Sequence, residues 1–305
     1  TSAKAGVGFT TNPKFEIQDA SGNVVTTGNF ATASVSATVA TNITGGALRT
    51  AGATTSAVIA SASGGVVEFD DINLVGAANK TYTINFAISA PSSSITSDAQ
   101  VLSLNAGNPY KLAVTEQPAN VVAGLTFATA PKAQIQDAWN NPVGAVASSF
   151  EVKADLINAT SLALEDGSQS VVTVSGSNDT AIFSSISFSA KGNHKLLFSS
   201  TGLVSATSAE FSITSAPAHH LKWIEQGSSI VRNGYVVETA PKLQVVDAFD
   251  NPITSGDPTT VTVSAVGNNS NLVASIVGGS ATTSANSSYV EFTNLKLNAK
   301  VDQYT

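Results

Sequence analysis

The sequence predicts an all-β protein built from tandem two-sheet sandwiches. Apolar and polar residues alternate with a period of two along short runs rich in Val, Ile, Thr and Phe, which is the pattern of half-buried strands. The chain shows no sustained apolar stripe at intervals of three and four residues, the mark of an amphipathic helix. In addition, one block of sequence recurs three times. These observations favour repeated β-domains over a single mixed fold.

The recurring block sets the length of each domain. It contains a glycine, a proline and an aspartate at the same spacing in every copy, and the copies span residues 6–24, 124–142 and 234–252. A second anchor, a phenylalanine followed three residues later by Ile or Leu, occurs at Phe69, Phe183 and Phe292. Both anchors repeat with a period of roughly 110 residues, the size of one small sandwich. The sequence therefore predicts three domains, at 1–109, 110–218 and 219–305.

The content of each repeat predicts the type of sandwich. About seven short strands, separated by Gly, Asn, Ser and Asp clusters, fit a Greek-key sandwich of immunoglobulin-like type. The chain has no cysteine, so these sandwiches are disulfide-free. Matching segments at 111–117 and 220–226 predict an opening strand for repeats two and three. Repeat one begins without its first strand and repeat three ends before its C-terminal strands, so we expect a larger protein.

The connections between repeats are short. Segments 105–109 and 214–218 consist of small or polar residues with one proline each. Such segments are too short to act as floppy tethers, and proline favours extended backbone. The sequence therefore predicts a semi-rigid rod of domains.

The aspartate of the recurring block predicts a tight turn between two strands. Asp side chains accept hydrogen bonds from backbone N–H groups two residues on, and Asn or Gly tolerates the positive φ that tight turns need. An asparagine stands four residues after the aspartate in each copy, at Asn23, Asn141 and Asn251. We expect these asparagines to close the turn.

This order of motifs resembles the tandem bacterial immunoglobulin-like repeats of large prokaryotic surface proteins, of the invasin/intimin type. The resemblance is carried by KLAVTEQP at 111–118, PKAQIQDAWNNPV at 131–143 and AIFSSISF at 181–188, and it extends over all three copies. It implies modules used as spacers, adhesin stalks, surface-layer subunits or accessory domains of enzymes. Repeat two departs from its siblings in one respect, because His194 replaces Tyr82 and Tyr304, so a tyrosine corner bond is not expected there.

Composition excludes several classes of partner. Only 11% of residues are charged, the net charge is −7, and no basic stripe is present, so nucleic acid is not an expected partner. No apolar run reaches the roughly 18 residues of a membrane helix, so membrane insertion within this segment is not expected. The lack of cysteine removes thiol nucleophiles and Cys-ligated metals.

Catalytic residues are not predicted. The three histidines, His194, His219 and His220, do not recur between repeats, and no Gly-x-Ser-x-Gly elbow occurs. We expect the adjacent pair His219 and His220 to point to opposite faces of a strand. The sequence therefore predicts a protein without enzymatic activity.

Two pairs of neighbouring carboxylates leave three interpretations open. Asp70 with Asp71, and Asp247 with Asp250, lie beside turn-like sequence. Turn capping is the first interpretation, structural calcium held by loop oxygens is the second, and acid/base catalysis is the third. No resident cofactor is predicted apart from this calcium alternative.

Aromatic residues provide candidate interface positions. Trp139 and Phe249 occupy the same place in the recurring turn, where repeat one has Ser21. An aromatic side chain there either covers the end of the sandwich or packs on the next module, or else it contacts a ligand or lattice partner. Trp223 matches Val114 within a strand, so we expect it to pack in a core or junction.

The sequence as a whole predicts a non-enzymatic structural protein of the cell surface. A rod of immunoglobulin-like modules would serve in a surface layer, surface filament or adhesin stalk, with neighbouring copies as the expected partners. Uncharged polar surfaces tolerate changes in salt and pH, which suits an extracellular location. The alternative is a set of glycan-binding accessory modules of a secreted carbohydrate-active enzyme or phage fibre, with Trp139 and Phe249 as the binding residues.

Overall fold

The computed structural model describes residues 2–40, 45–50, 53–91, 95–97, 99–157, 170–254, 260–265, 274–278, 280–282 and 289–299. Within these ranges the regular structure is β-strand, apart from one turn of 3₁₀ helix at Asn29–Thr32. The prediction of an all-β protein is confirmed. Tyr304 lies outside the described residues.

Repeat one supplies the first ten strands. They are β1 (Ser2–Lys4), β2 (Lys14–Glu16), β3 (Ser34–Val39), β4 (Ala47–Thr50), β5 (Ala53–Thr55), β6 (Val58–Ser61), β7 (Val66–Glu68), β8 (Asn73–Val75), β9 (Lys80–Ala90) and β10 (Gln100–Asn105). The largest sheet has the order β1-β10-β9-β3-β6, in which β1 runs parallel to β10. The smaller sheets pair β2 with β7 and place β4 between β5 and β8.

Repeat two shows the sandwich most completely. Its strands are β11 (Lys111–Glu116), β12 (Val121–Val122), β13 (Lys132–Gln136), β14 (Val146–Ile157), β15 (Val171–Gly176), β16 (Thr180–Ile182), β17 (Gly192–Ser199), β18 (Ala206–Thr207) and β19 (Phe211–Thr214). One sheet has the order β11-β13-β16 and the other the order β12-β19-β17-β14-β15. Strand β18 pairs with β17 and so also belongs to the second sheet, while β14 and β15 are antiparallel neighbours within it. Two sheets with non-sequential strand orders are the arrangement of an immunoglobulin-like sandwich.

Repeat three follows the same plan over fewer described residues. Its strands are β20 (His220–Glu225), β21 (Lys242–Val246), β22 (Thr260–Thr262), β23 (Ala274–Val277), β24 (Ser280–Thr282), β25 (Tyr289–Glu291) and β26 (Lys296–Ala299). The sheet β20-β21-β25 repeats the pairing of β11-β13-β16. A register shift near the end of the opening strand occurs in both repeats, at Val114/Glu116 and at Trp223/Glu225.

The alternation of apolar and polar residues explains how the sheets face each other. In β13, Ala133 and Ile135 are buried while the alternate residues Lys132, Gln134 and Gln136 are partly exposed, because successive side chains on a strand point to opposite faces. Three hydrophobic clusters result, spanning Ala5 to Leu104, Leu112 to Ile213 and Leu243 to Leu295. Each buried cluster comes from one repeat.

Two aromatic side chains depart from this rule. Trp139 of repeat two packs against the cluster of repeat one, and Phe249 of repeat three packs against the cluster of repeat two. Both belong to the recurring turn. The places where these turns meet the preceding repeat are therefore the structurally distinctive sites of the molecule.

Candidate functional site

The turn at residues 137–141 is held by one carboxylate. Oδ1 of Asp137 accepts hydrogen bonds from the backbone N–H groups of Trp139, at 2.8 Å, and Asn141, at 2.9 Å. The Asn141 side-chain amide donates to Asp137 Oδ2 at 2.8 Å. The prediction that the aspartate accepts a bond from the backbone two residues on is confirmed. The residue with left-handed backbone is Asn140, at φ 69°, which directly precedes Asn141.

The same two side chains also bind repeat one. Gly107 N donates to Asp137 Oδ2 at 2.8 Å, and Ala78 N donates to Asn141 Oδ1 at 2.8 Å. The Asn141 amide donates its second hydrogen to the carbonyl of Gly76 at 2.9 Å. Three hydrogen bonds therefore join side chains of repeat two to backbone groups of repeat one.

Burial makes this polar network structurally important. Asp137 is 0% exposed and Asn141 is 6% exposed. Every oxygen and amide hydrogen of the two side chains has a partner, so neither is left with the cost of an unsatisfied buried polar group. A fully satisfied buried network fixes one relative placement of the groups that it joins.

Trp139 adds apolar contact to the same junction. Its ring lies over Gly6, and a Cβ atom at that position would sit 1.6 Å from Trp139 Cη2. Gly6 also has a φ of 66°. The Arg49 guanidinium lies 5.7 Å from the ring centroid, within range of a cation–π interaction. The first glycine of the recurring block thus makes room for the aromatic residue of the next block.

The turn at residues 247–251 binds repeat two in the same way. Asp247 Oδ1 accepts from the N–H groups of Phe249 and Asn251, and the Asn251 amide donates to Asp247 Oδ2. Across the junction, Ala216 N donates to Asp247 Oδ2 at 2.8 Å and Lys191 N donates to Asn251 Oδ1 at 3.0 Å. These bonds correspond to those made by Gly107 and Ala78 at the first junction.

The remaining contacts of this second junction also match the first. The Asn251 amide donates to the Ser189 carbonyl at 2.7 Å, and Phe249 lies over Gly124, where a Cβ atom would sit 2.4 Å from its ring. The Lys191 ammonium adds a bond to the Pro252 carbonyl at 2.8 Å. The two junctions of the chain therefore share the same set of hydrogen bonds and the same packing of an aromatic ring on a glycine.

The turn at residues 19–23 has the same internal bonds but no such neighbour among the described residues. Asp19 Oδ1 accepts from Ser21 N at 2.8 Å and Asn23 N at 3.0 Å, and the Asn23 amide donates to Asp19 Oδ2 at 3.1 Å. Gly22 supplies the left-handed residue at φ 83°. Asp19 and Asn23 are exposed, and the aromatic position is taken by Ser21.

The hydrogen bonds determine the charge state of these turns. Burial is the largest influence on Asp247 and raises its pKa, but the bonds donated by the Asn251 side chain and by the N–H groups of Asn251, Ala216 and Phe249 together hold the pKa below 3.8. Bonds from Asn23 and Ser21 lower the pKa of Asp19 in the same direction. Both carboxylates are therefore ionised at neutral pH.

The four candidate calcium ligands do not come together. Both oxygens of Asp247 are used in the junction, and Asp250 contacts Lys222 Nζ and His220 Nε2, each at 2.9 Å. Asp70 accepts from Asn12 at 3.1 Å, and Asp71 occupies the turn before β8 at φ 53°. In the described part of the chain, no three His or acidic side chains are grouped to hold a metal ion.

Each of the three histidines contacts a neighbouring group of the fold. His194 is 4% exposed, and its Nε2 lies 3.0 Å from the Ala190 carbonyl, much as the Tyr82 hydroxyl donates to the Ala77 carbonyl at 3.2 Å. Repeat two thus makes a corner bond with imidazole in place of phenol. The expectation that His219 and His220 point apart is wrong, since their Nδ1 atoms are 3.2 Å apart. His219 precedes β20, so strand alternation does not govern it.

Comparisons with known proteins show resemblance in fold. No protein-family model and no curated protein matches the chain. Among solved structures, the chain is similar to the Escherichia coli adhesin FdeC, with 15% identity over 92% of this chain and 93% of that chain and a TM-score of 0.29. It is also similar to domains 5–6 of the S-layer protein SbsC, with 15% identity over 63% and 86% of the two chains and a TM-score of 0.20. The human desmocollin-1 ectodomain matches with 10% identity over 97% and 52%, at a TM-score of 0.29.

At these identities and TM-scores, the similarities carry no argument about function. Across the part of the chain that the structure describes, no helix is long and apolar enough to cross a membrane. The function must be argued from the junctions themselves.

Proposed function

We propose that this chain is a non-enzymatic structural protein of the cell surface, in which immunoglobulin-like domains at 1–109, 110–218 and 219–305 form a stiff rod. The observation that carries the proposal is the duplication of one buried junction, made by turns 137–141 and 247–251. Such a rod would serve as part of a surface layer, a surface filament or an adhesin stalk.

The physical properties of the junction support stiffness. Three matched cross-junction hydrogen bonds occur at both interfaces, the second interface has a further bond from Lys191, and a half-buried aromatic ring fills the space above a glycine in each. Rotation of one domain against its neighbour would break bonds to buried groups, each costing about 1–3 kcal/mol. A pair of domains joined in this way resists bending more than a pair joined by a flexible tether.

The surface chemistry supports an extracellular setting. With 11% charged residues and no cysteine or methionine, the surface offers few sites for salt-dependent association or for sulfur oxidation. Neighbouring copies in a surface assembly are the partners that we propose, through turns and exposed strand edges.

The glycan-binding alternative receives less support. A sugar platform needs an accessible aromatic face, whereas Trp139 and Phe249 pack against the preceding repeat. Retention on a panel of immobilised polysaccharides that is lost in a Trp139→Ala, Phe249→Ala double variant would favour glycan binding over the rod.

Small-angle X-ray scattering tests the stiffness. The double variant Trp139→Ser, Phe249→Ser gives both junction turns the residue that repeat one carries at Ser21. We expect a broader distribution of interatomic distances and a loss of the sharp maximum dimension of the parent chain. Trp223→Ser is the control, because the expectation that Trp223 packs in a core or junction is wrong: the residue is 54% exposed and lies outside both turns. Parent scattering that already requires a flexible ensemble would contradict the rod.

The location is tested separately on the source cells. An antibody raised against the chain should label intact cells by immunogold electron microscopy. Label in a periodic sheet or filament would favour an assembly subunit, and label on isolated projections would favour a stalk. Label confined to the cell interior would contradict the proposal.

A further inference from the structure

The opening strand distinguishes repeats two and three from repeat one. In repeat two, β11 pairs antiparallel with β13, and in repeat three β20 pairs with β21 in the same register. In repeat one, β2 corresponds to β13 and pairs with β7 alone among the strands that the structure describes. The opposite edge of β2 is where an opening strand lies in the other two repeats.

A groove marks that place in repeat one. Its volume is about 120 Å³, and its apolar lining comes from β2 and the adjoining Ile17 on one side and from β3, β9 and Ile95 on the other. The main lining residues are Phe15, Ile17, Val35, Phe86, Ile88 and Ile95. Phe15 is turned inward, since its ring lies 4.5 Å from that of Phe86, and Ile95 stands at the mouth with 48% of its surface exposed.

The register of repeat two shows what such a groove holds. Leu112 lies opposite Ile135 and is 3% exposed, and Val114 lies opposite Ala133. By the repeat alignment, Ile17 and Phe15 are the counterparts of Ile135 and Ala133. A strand placed against β2 in this register would bury its first apolar side chain beside Ile17 and its second beside Phe15.

The second sheet supplies a further contact to the opening strand. In repeat two, Leu112 N donates to the Val204 carbonyl and Val204 N donates to the Tyr110 carbonyl, so the strand bridges both sheets. In repeat one Thr96 pairs with Ala87, and in repeat two Ala206 pairs with Phe198. The two pairings have the same register, so Ile95 holds the position in repeat one that Val204 holds in repeat two. Ile95 lines the groove of repeat one.

We propose that this groove is a binding site for an extended polypeptide strand with apolar side chains at two alternate positions. The strand runs antiparallel to β2 and adds to the edge of β2 opposite β7 by β-augmentation. The side chain opposite Phe15 must be small, because Phe15 occupies more space than Ala133 does in repeat two. The Lys-Leu-Ala-Val order of residues 111–114 fits this requirement, whereas Trp223 of β20 does not. The inference concerns repeat one alone and does not depend on the location of the protein.

A synthetic peptide tests the site in the 305-residue chain. The peptide carries residues 110–118, and binding is followed by calorimetry and by hydrogen–deuterium exchange of the chain. We expect saturating peptide to slow amide exchange in β2 at least about tenfold while leaving β13 unchanged, since β11 already covers β13. A control peptide with Leu112→Asp and Val114→Asp should bind at least about tenfold more weakly.

A pair of chain variants locates the binding. Ile95→Asp places a charge at the mouth of the groove, on a side chain exposed enough for the fold to tolerate it, and should abolish binding. Ile59→Asp is the matched control, because Ile59 is 63% exposed on β6 and does not line the groove. Circular dichroism and melting verify that both variants are folded. The proposal is overturned by an absence of binding at millimolar peptide, by equal binding of the Asp peptide, or by protection confined to amides outside β2 and the segment around Ile95.

Discussion

The turns at 19–23 and 137–141 share a sequence skeleton and the same internal hydrogen bonds, yet one is exposed and the other is buried. The difference lies in what surrounds them. Turn 137–141 meets two N–H groups and one carbonyl of repeat one, and its aromatic residue meets Gly6. The Asp–Asn pair therefore forms a turn by itself. It forms a junction only where a neighbouring sandwich presents backbone groups that can bond to the two side chains.

The aspartates of the two turns should differ most in their effect on stability. Asp137→Ala leaves the buried N–H groups of Gly107, Trp139 and Asn141 without their acceptor, which we expect to cost about 3–5 kcal/mol. Asp19→Ala should cost clearly less, because water replaces the carboxylate at the exposed turn. Urea unfolding, followed by Trp139 fluorescence in a Trp223→Phe background, measures both.

Equal losses of unfolding free energy in Asp137→Ala and Asp19→Ala would contradict this difference between the two turns. That result would mean that the internal turn bonds, which both turns share, carry the stability. In that case the cross-junction bonds would add little to the free energy of unfolding.

The glycines give a second test of intermediate size. Gly6 and Gly22 both have positive φ, so alanine costs about 1 kcal/mol at either position from backbone strain alone. Only at Gly6 would the new Cβ atom enter the Trp139 ring, since nothing lies within 4 Å of the position at Gly22. We expect Gly6→Ala to cost about 2 kcal/mol more than Gly22→Ala.

Thermal unfolding of the two glycine variants provides the measurement. Quenching or a red shift of Trp139 emission in Gly6→Ala, but not in Gly22→Ala, would show that the ring is displaced. Identical melting curves and emission spectra would contradict the assigned role of Gly6.

Acid should produce the smallest effect. Because the pKa of Asp247 is lowered in the folded chain, its contribution to stability is present above the ordinary pKa of 3.8 and is lost as pH falls through the lower, folded value. As the pH falls through this lowered pKa the Asp247 carboxylate takes up a proton and loses part of its hydrogen bonding, so we expect a modest loosening of the second junction in strong acid. Scattering curves recorded from pH 6 to pH 2 measure it.

An amide at the same position supplies the control for acid. Asp247→Asn should remove the pH dependence of this junction, since the side chain can no longer be protonated. A pH profile that is unchanged in the variant would assign the effect to other carboxylates. Asp19, whose pKa is also lowered, should titrate without any change in domain arrangement.

Much of the architecture followed from the chain alone. Alternation in segments such as 132–136 predicted strands, and the structure confirms an all-β fold. The aspartate turns were predicted because an Asp carboxylate and the N–H two residues on are neighbours in sequence. The division into domains at 109 and 218 remains part of the proposal.

The junctions were not predictable in the same way. Asn141 and Asn251 were expected only to close their own turns, whereas each also bonds to the preceding repeat. Their partners, such as Gly76 and Ser189, contribute backbone atoms, and a backbone group leaves no signature in the residue type. Gly6 and Gly124 recur at the same position of the block, which indicates a requirement for glycine there. The reason for that requirement, an aromatic ring packed over each glycine, is visible only in the structure.

The repetition is visible in the residue order itself, and the strands and turns can be predicted from the sequence because alternation and Asp turn chemistry involve residues close along the chain. Only the packed structure shows which turn is buried, which sandwich receives Trp139 or Phe249, and that β2 pairs with β7 alone among the strands described in repeat one. Those outcomes depend on backbone groups and cavities that exist only after two sheets have packed. The same five-residue turn therefore has two roles in one chain, set by what folds beside it.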